Sequence, residues 1–232
     1  QYILYKLDEN TGDVIDSVFL GDLGNSSSFG YRLIDVNDSL FLAGTYKRDS
    51  LYYLWISYVS SENFSFNPRI IDSIADHISI NKFLVNKLGN ILVMTKQRID
   101  NIFSNHYCLY EITPLLDVLK KKQIDHEEGD FAGIAETAGD SSYIFSGSNW
   151  AIRLDYNFGV RDTLPERIPS GFNHLIQYGP NTFFAAGGIL MNGPPPGNDM
   201  YSAIYKLTEG GQYLDTLVFG KIGEEQACPV YE

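Results

Sequence analysis

Apolar and polar positions alternate with period two along most of this chain, from YILYKL near the start to YLDTLVFG near the end. Turn-forming residues separate the runs, and this pattern predicts β-strands. One paired run recurs: a strand ending in Tyr-x-Leu or similar, a polar turn, and a strand carrying Asp-Ser/Thr-aliphatic. Its copies are LYKLDENTGDVIDSVFLG from Leu4, ISYVSSENFSFNPRIIDSI from Ile56, LYEITPLLDVLKKKQID from Leu109, AIRLDYNFGVRDTLPE from Ala151 and IYKLTEGGQYLDTLVFG from Ile204. With Tyr5, Tyr58, Tyr110, Arg153 and Lys206 as equivalents, the steps are 53, 52, 43 and 53 residues.

A second pair lies between these hairpins. GYRLIDVNDSLFLAGTY from Gly30 returns as INKFLVNKLGNILVMTK from Ile80, FAGIAETAGDSSYIFSGS from Phe131 and FNHLIQYGPNTFFAAGG from Phe172. Turns fall at Asn37-Asp38, Leu88-Gly89-Asn90, Gly139-Asp140 and Gly179-Pro180-Asn181, residues that tolerate positive φ or start tight turns. Each unit thus supplies four short antiparallel strands, approximately at 30–74, 80–125, 131–166 and 172–220.

Four strands recurring in this way is the pattern of a β-propeller blade. The second strand of each unit is almost continuously apolar (LFLAG, NILVM, YIFSG, FFAAGG), which suits a sheet covered on both faces. The expected fold class is therefore all-β, a propeller of four-stranded antiparallel blades with five or more blades. A β-sandwich is the alternative, but it does not explain the repetition. The chain opens in an outer hairpin and closes on EEQACPVYE, which reads as the first strand of a further inner pair. It is expected to be one propeller domain over 1–232 or a fragment of one, and a truncated ring is one form of that expectation. LLDVLKKKQID from Leu115 is the one stretch with helical character; its place in the repeat makes it an outer strand, with Lys120 to Lys122 as a solvated edge.

Composition narrows the function. With 17 basic and 29 acidic side chains the formal charge is −12, which argues against a phosphate-neutralising nucleic-acid binder. No apolar run is long enough for a membrane helix, so no transmembrane segment is expected. Cys108 and Cys228 form no CxxC or Cys/His cluster; they are expected to be buried free thiols, with a long-range disulfide between them as the alternative. No metal and no cofactor is called for.

The segments DSLFLAG, IYKLTEGGQYLDTLVFG and YKLDENTGDVIDSVFLG resemble the degenerate repeats of secreted bacterial β-propellers. That resemblance covers nearly the whole chain and implies the propeller fold and export to the periplasm, cell surface or exterior. It brings no catalytic residues with it. The sialidase box, the Trp-Asp ending of WD repeats and the kelch glycine pattern are absent from the sequence.

In a propeller, the loops leading into the innermost strand and those joining the second and third strands share one face, where ligands bind. The first kind of loop holds Asn25 to Ser28, Asp76, His77, Glu127, Glu128, Asp130, Arg167, Glu224 and Glu225, and the second holds Lys47, Arg48, Asp49, the stretch from Gln97 and Arg98 to His106, Asn149, Trp150 and the Pro-rich stretch from Met191 to Met200. The selected ligand-binding candidates are Glu127, Glu128, Asp130, Glu224 and Glu225, a set of acids at the channel mouth, with Trp150 as a stacking surface. No residue is assigned a catalytic role. The leading expectation is a non-enzymatic exported binding or interaction module for a protein, peptide or glycan. The alternatives are a glycoside hydrolase using Asp130 and Glu225, and a structural part of a larger surface protein.

Overall fold

The computed structural model describes residues 3–19, 32–36, 39–60, 65–74, 77–98, 105–124, 131–137, 142–147, 151–163, 172–179, 182–192, 198–208 and 213–221. Their contacts divide the chain into two units, Gln1–Glu127 and Glu128–Glu232.

Every regular element among the described residues is a strand. Unit 1 holds the hairpin β1 (Ile3–Leu7) and β2 (Val14–Phe19), then two four-stranded sheets. The first sheet runs β3 (Arg32–Val36), β4 (Ser39–Arg48), β5 (Leu51–Val59), β6 (Phe66–Ile74). The second runs β7 (His77–Val85), β8 (Ile91–Arg98), β9 (Asn105–Ile112), β10 (Val118–Ile124). Unit 2 holds β11 (Phe131–Glu136), β12 (Ser142–Gly147), β13 (Ala151–Asp155), β14 (Val160–Thr163), and then β15 (Phe172–Gly179), β16 (Thr182–Asn192), β17 (Asn198–Thr208), β18 (Tyr213–Lys221). In each sheet the strands pair antiparallel in chain order, a four-stranded meander. Val118–Ile124 is a strand, as its place in the repeat predicts.

The sheets stack face to face, as blades do. In unit 1, alternate residues of β4 and β5 go to opposite sides because side chains alternate along a strand. Phe41, Ala43, Leu54 and Ile56 pack with Ile78, Ile80, Ile91, Val93, Cys108, Tyr110 and Ile112 of the following sheet. Leu42, Trp55 and Val59 pack on the other side, where Leu4 and Val18 of the first hairpin lie. The β3–β6 sheet therefore has a partner on both faces, three layers in all, and the two-layer sandwich does not describe unit 1. In unit 2, Ala135 and Ile144 pack against Phe183, Ala185, Ala203, Tyr205 and Leu207. Ala43 and Ala185 are fully buried, so small side chains stand where the sheets approach.

The ladders repeat with a regularity beyond strand count. The ladder joining second and third strands runs without a register shift in all four sheets. The outer ladder is bulged at one equivalent place each time. Lys6 pairs Asp16 but Leu7 pairs Val14, leaving Ile15 extra. Ile71, Leu119, Arg161 and Leu214 are the extra residues in the other outer strands. Inner ladders carry bulges at Asn81, Ala132 and Asn173.

Turns repeat too. Asp8, Thr113 and Asp155 each close an outer hairpin by accepting backbone N–H bonds through the side chain. Asn86 does the same in an inner hairpin. A left-handed residue sits near the end of each turn: Gly12 (φ 74°), Gly89 (76°), Leu116 (66°) and Phe158 (62°). Leu116 and Phe158 are not glycine because their side chains are buried. Burying such a side chain is worth about 1.5–3 kcal/mol, more than the roughly 1–2 kcal/mol cost of the left-handed conformation.

Candidate functional site

Glu127, Glu128, Asp130, Trp150, Glu224 and Glu225 lie outside the described residues. Of the loops expected on the same face, the β4–β5 turn with Lys47, Arg48 and Asp49 is described, as are His77 at the start of β7, Gln97 and Arg98 at the end of β8, and His106 near the start of β9.

Arg48 pairs with Leu51, so Asp49 and Ser50 alone make the turn, with φ of 49° and 69°. Both central residues are left-handed, as in the type I′ hairpin whose twist matches that of its strands. This register fixes what flanks the turn. Tyr46 stands opposite Tyr53, and Lys47 opposite Tyr52. The Tyr46 and Tyr53 rings are stacked, with centroids 4.9 Å apart and planes 16° from parallel. On the other face the Lys47 ammonium lies 5.1 Å from the Tyr52 ring centre, and Tyr52 meets the His77 ring at 5.2 Å. All three tyrosines and His77 are half-buried, whereas Lys47 is exposed and the Arg48 side chain is 72% exposed, 3.4 Å from Asp49. Burial and the neighbouring Tyr53 push the Tyr46 phenol above its ordinary pKa, and Arg48 only partly offsets them. The result is a stiff rim of aromatic surface carrying two cations. Lys47, Arg48 and His77 fall in the loops expected on that face; the tyrosines do not, and the near-symmetry of TYKRDSLYY about a two-residue turn is the signal that reveals them.

A polar seam crosses between the β3–β6 and β7–β10 sheets. The Tyr110 hydroxyl donates to Asp72 Oδ2 at 2.5 Å and accepts from Gln97 Nε2 at 2.9 Å. Lys121 Nζ reaches the same Asp72 oxygen at 2.7 Å. Burial, Cys108 and Asp72 hold the Tyr110 phenol protonated, well above its usual range. Burial also raises the Cys108 thiol, against smaller opposing contributions from Tyr110 and Lys121. Cys108 is thus a buried free thiol with the reverse of nucleophilic tuning.

A second buried group, Glu111, accepts from Asn86 Nδ2 (3.0 Å), Asn90 Nδ2 (2.8 Å) and Lys120 Nζ (2.6 Å). Burial opposes its ionisation, but Lys120 and the two amides prevail and keep the carboxyl below its ordinary value. Glu111 and Lys120 occupy the cross-strand positions held by Lys6–Asp16, Arg153–Asp162 and Lys206–Asp215 elsewhere, with the charges exchanged. Two of the three lysines expected to form a solvated edge, Lys120 and Lys121, are therefore ion-paired, because the bulge and the neighbouring sheet each bring a carboxylate within reach.

In unit 2 a shallow cavity of about 480 Å³ opens on the β15–β18 face turned away from β11–β14, lined by Phe184, Ile204, Lys206, Asp215, Thr216 and Leu217. In the β3–β6 sheet the equivalent positions Tyr52, Leu54, Asp72 and Ile74 are covered by the next sheet. Among the described residues, no three of His, Cys, Asp and Glu are grouped to hold a metal ion, and no helix is long and apolar enough to cross a membrane.

No protein-family model matches the chain, and no curated protein matches it. Solved structures do align. A Bacteroides caccae protein of unknown function matches at 9% identity over 94% of this chain and 93% of its own, with a TM-score of 0.46. The Neurospora crassa Pan2 WD40 domain matches at 12% identity, 74% of this chain, 63% of its own and TM-score 0.35. Apo AztD from Citrobacter koseri matches at 9%, 94%, 80% and 0.34. The all-β architecture of stacked four-stranded blades rests on the sheets themselves.

Proposed function

We propose that this chain is a non-enzymatic binding module that presents ligand-contacting groups on the rims of stacked four-stranded blades. The observation that carries this reading is the β4–β5 rim, where a two-residue turn is flanked on one face by the Tyr46–Tyr53 pair and Arg48 and on the other by Lys47, Tyr52 and His77. A surface of this kind is pre-organised, so binding costs little conformational entropy. The interior titratable groups support the same reading. Asp72, Tyr110 and Glu111 are occupied with holding strands and sheets together, and the Cys108 thiol is kept protonated by burial. Export to the cell surface or beyond belongs to this proposal through the resemblance to secreted propeller repeats, as does a protein, peptide or glycan as the ligand class.

The test is a combined glycan and peptide array probed with the wild-type chain and with the double variant Arg48→Ala, Tyr53→Val. Hits that the variant loses support the proposal. An array without hits, or hits indifferent to the variant, would remove the β4–β5 rim from consideration.

A further inference from the structure

Resting on that reading, we infer that the β4–β5 rim takes an acidic sugar: a uronic-acid ring whose C–H face lies on the Tyr46–Tyr53 pair and whose carboxylate meets Arg48. Three features of the rim lead there. First, the two rings stack on each other at 4.9 Å, too close for a planar group to slide between them, and both are half-buried, Tyr46 resting on the Leu42, Trp55 and Val59 cluster, so a ligand meets only the part of the pair left exposed at the rim. Such a face suits the flat C–H side of a pyranose.

Second, a cation lies beside that face. Arg48 follows Tyr46 by two positions and shares its side of the strand, and the guanidinium influences the Tyr46 phenol. A planar guanidinium engages a carboxylate in two parallel bonds, which fixes the sugar's orientation. Asp49, at 3.4 Å and 85% exposed, is a weak surface partner that a ligand carboxylate can displace. Lys47 stands on the opposite side over Tyr52, where it adds to the local potential without being committed to the same carboxylate.

Third, the charge of the ligand is bounded. The whole chain carries −12, so only a local positive spot attracts an anion, and its reach is roughly 8–10 Å at physiological salt. On the Tyr46–Tyr53 side the cation is the single Arg48 guanidinium, with Asp49 beside it and Lys47 on the opposite side. That favours a singly charged carboxylate ring over a phosphate group carrying two charges. An acidic peptide would bring charge without a rigid flat face, and charge alone is weak in this field.

The experiment is titration calorimetry on the full chain with tetragalacturonate, with neutral galactotetraose, with adenosine monophosphate and with a tetraglutamate peptide, at 50 and 300 mM NaCl. Expected are measurable binding of tetragalacturonate, at least tenfold weaker binding in Arg48→Ala and in Tyr53→Val, and weaker binding at the higher salt. Arg69→Ala, which removes an exposed arginine on β6, is the control and should bind as wild type. Equal urea midpoints for the variants show that they are folded. Equal affinity for galactotetraose, or an unchanged Arg48→Ala titration, overturns the acidic-sugar inference while leaving the binding-module reading in place. Tighter binding of the nucleotide or the peptide overturns it in favour of that ligand. No heat with any of the four compounds at millimolar concentration overturns the inference as well, and the array then decides the broader proposal.

Discussion

Glu111→Gln tests whether the charge-exchanged pair in the β7–β10 sheet is a stabilising feature. The wild-type carboxylate accepts three hydrogen bonds, at 2.6, 2.8 and 3.0 Å, and its side chain is only 2% exposed. Asn86 and Asn90 both donate to Oε1 and Lys120 to Oε2, so glutamine can keep the two amides on its one oxygen while its NH2 faces the Lys120 ammonium. The charge-assisted bond from Lys120, worth about 1.5–3 kcal/mol, is lost, and the two amide bonds lose their charge assistance. Lys120 is a third exposed and can turn to water, which lowers the total. The expected loss is about 2–4 kcal/mol. Equilibrium urea unfolding at pH 7, 5 and 3.5 reads it as a shift in midpoint at constant slope. The pH series fixes the cause. Because the fold holds the Glu111 carboxyl below its ordinary value of 4.5, its contribution is complete above that value and fades as pH falls through the lower folded value. The gap between wild type and variant should be constant from pH 7 to 5 and narrower at pH 3.5. A gap under about 1 kcal/mol at pH 7, or one of equal size at pH 3.5, would refute the reasoning.

Tyr110→Phe removes the hydroxyl that joins Asp72 to Gln97 and should cost about 1.5–3 kcal/mol in urea unfolding, while Asp72 keeps Lys121. Leu116→Gly relieves the left-handed backbone but gives up a buried side chain, so the net loss should be about 1–2 kcal/mol, smaller than for Leu109→Ala in a regular strand, at about 2–5 kcal/mol. Ser50→Gly, exposed at φ 69°, should raise the unfolding free energy by up to about 1 kcal/mol, read as a higher urea midpoint, and a loss of stability would contradict the turn geometry. Burial, with Arg32 adding, lowers Lys82 to about 8, so its amine should titrate near there by NMR. Since the folded value is depressed, stability should rise as pH climbs from about 8 toward 10.5.

The strand pattern and the turn residues made the four-stranded units legible, because alternation and Gly/Asn/Asp turns are local signals. The recurring Asp-Ser/Thr triplet was also readable as structure. Asp16, Asp72 and Asp215 each accept from the N–H of the next residue, directly after the bulge. The bulge itself was hidden, since an extra residue leaves the composition of a strand unchanged and shows only in register. The seam at Asp72 could not be read either, for it joins residues 38 and 49 positions apart across two sheets. Tyrosines at 46, 52 and 53 look like any strand aromatics until the turn register pairs them. The acidic candidates Glu127, Glu128, Asp130, Glu224 and Glu225, with Trp150, fall outside the described residues, so the rim and those acids are separate ideas.

The extra residue in every outer strand bears on how this protein behaves in a crowd. An unblemished outer strand offers neighbouring molecules a straight row of backbone donors and acceptors, the template from which fibrils grow. Ile15, Ile71, Leu119, Arg161 and Leu214 interrupt that row at one equivalent place in each sheet, with Gly220 a second interruption in β18, and sharpen its twist. Four of the five are large and apolar, residues that would otherwise strengthen such a template. The bulges therefore oppose edge-to-edge pairing of sheets between crowded chains.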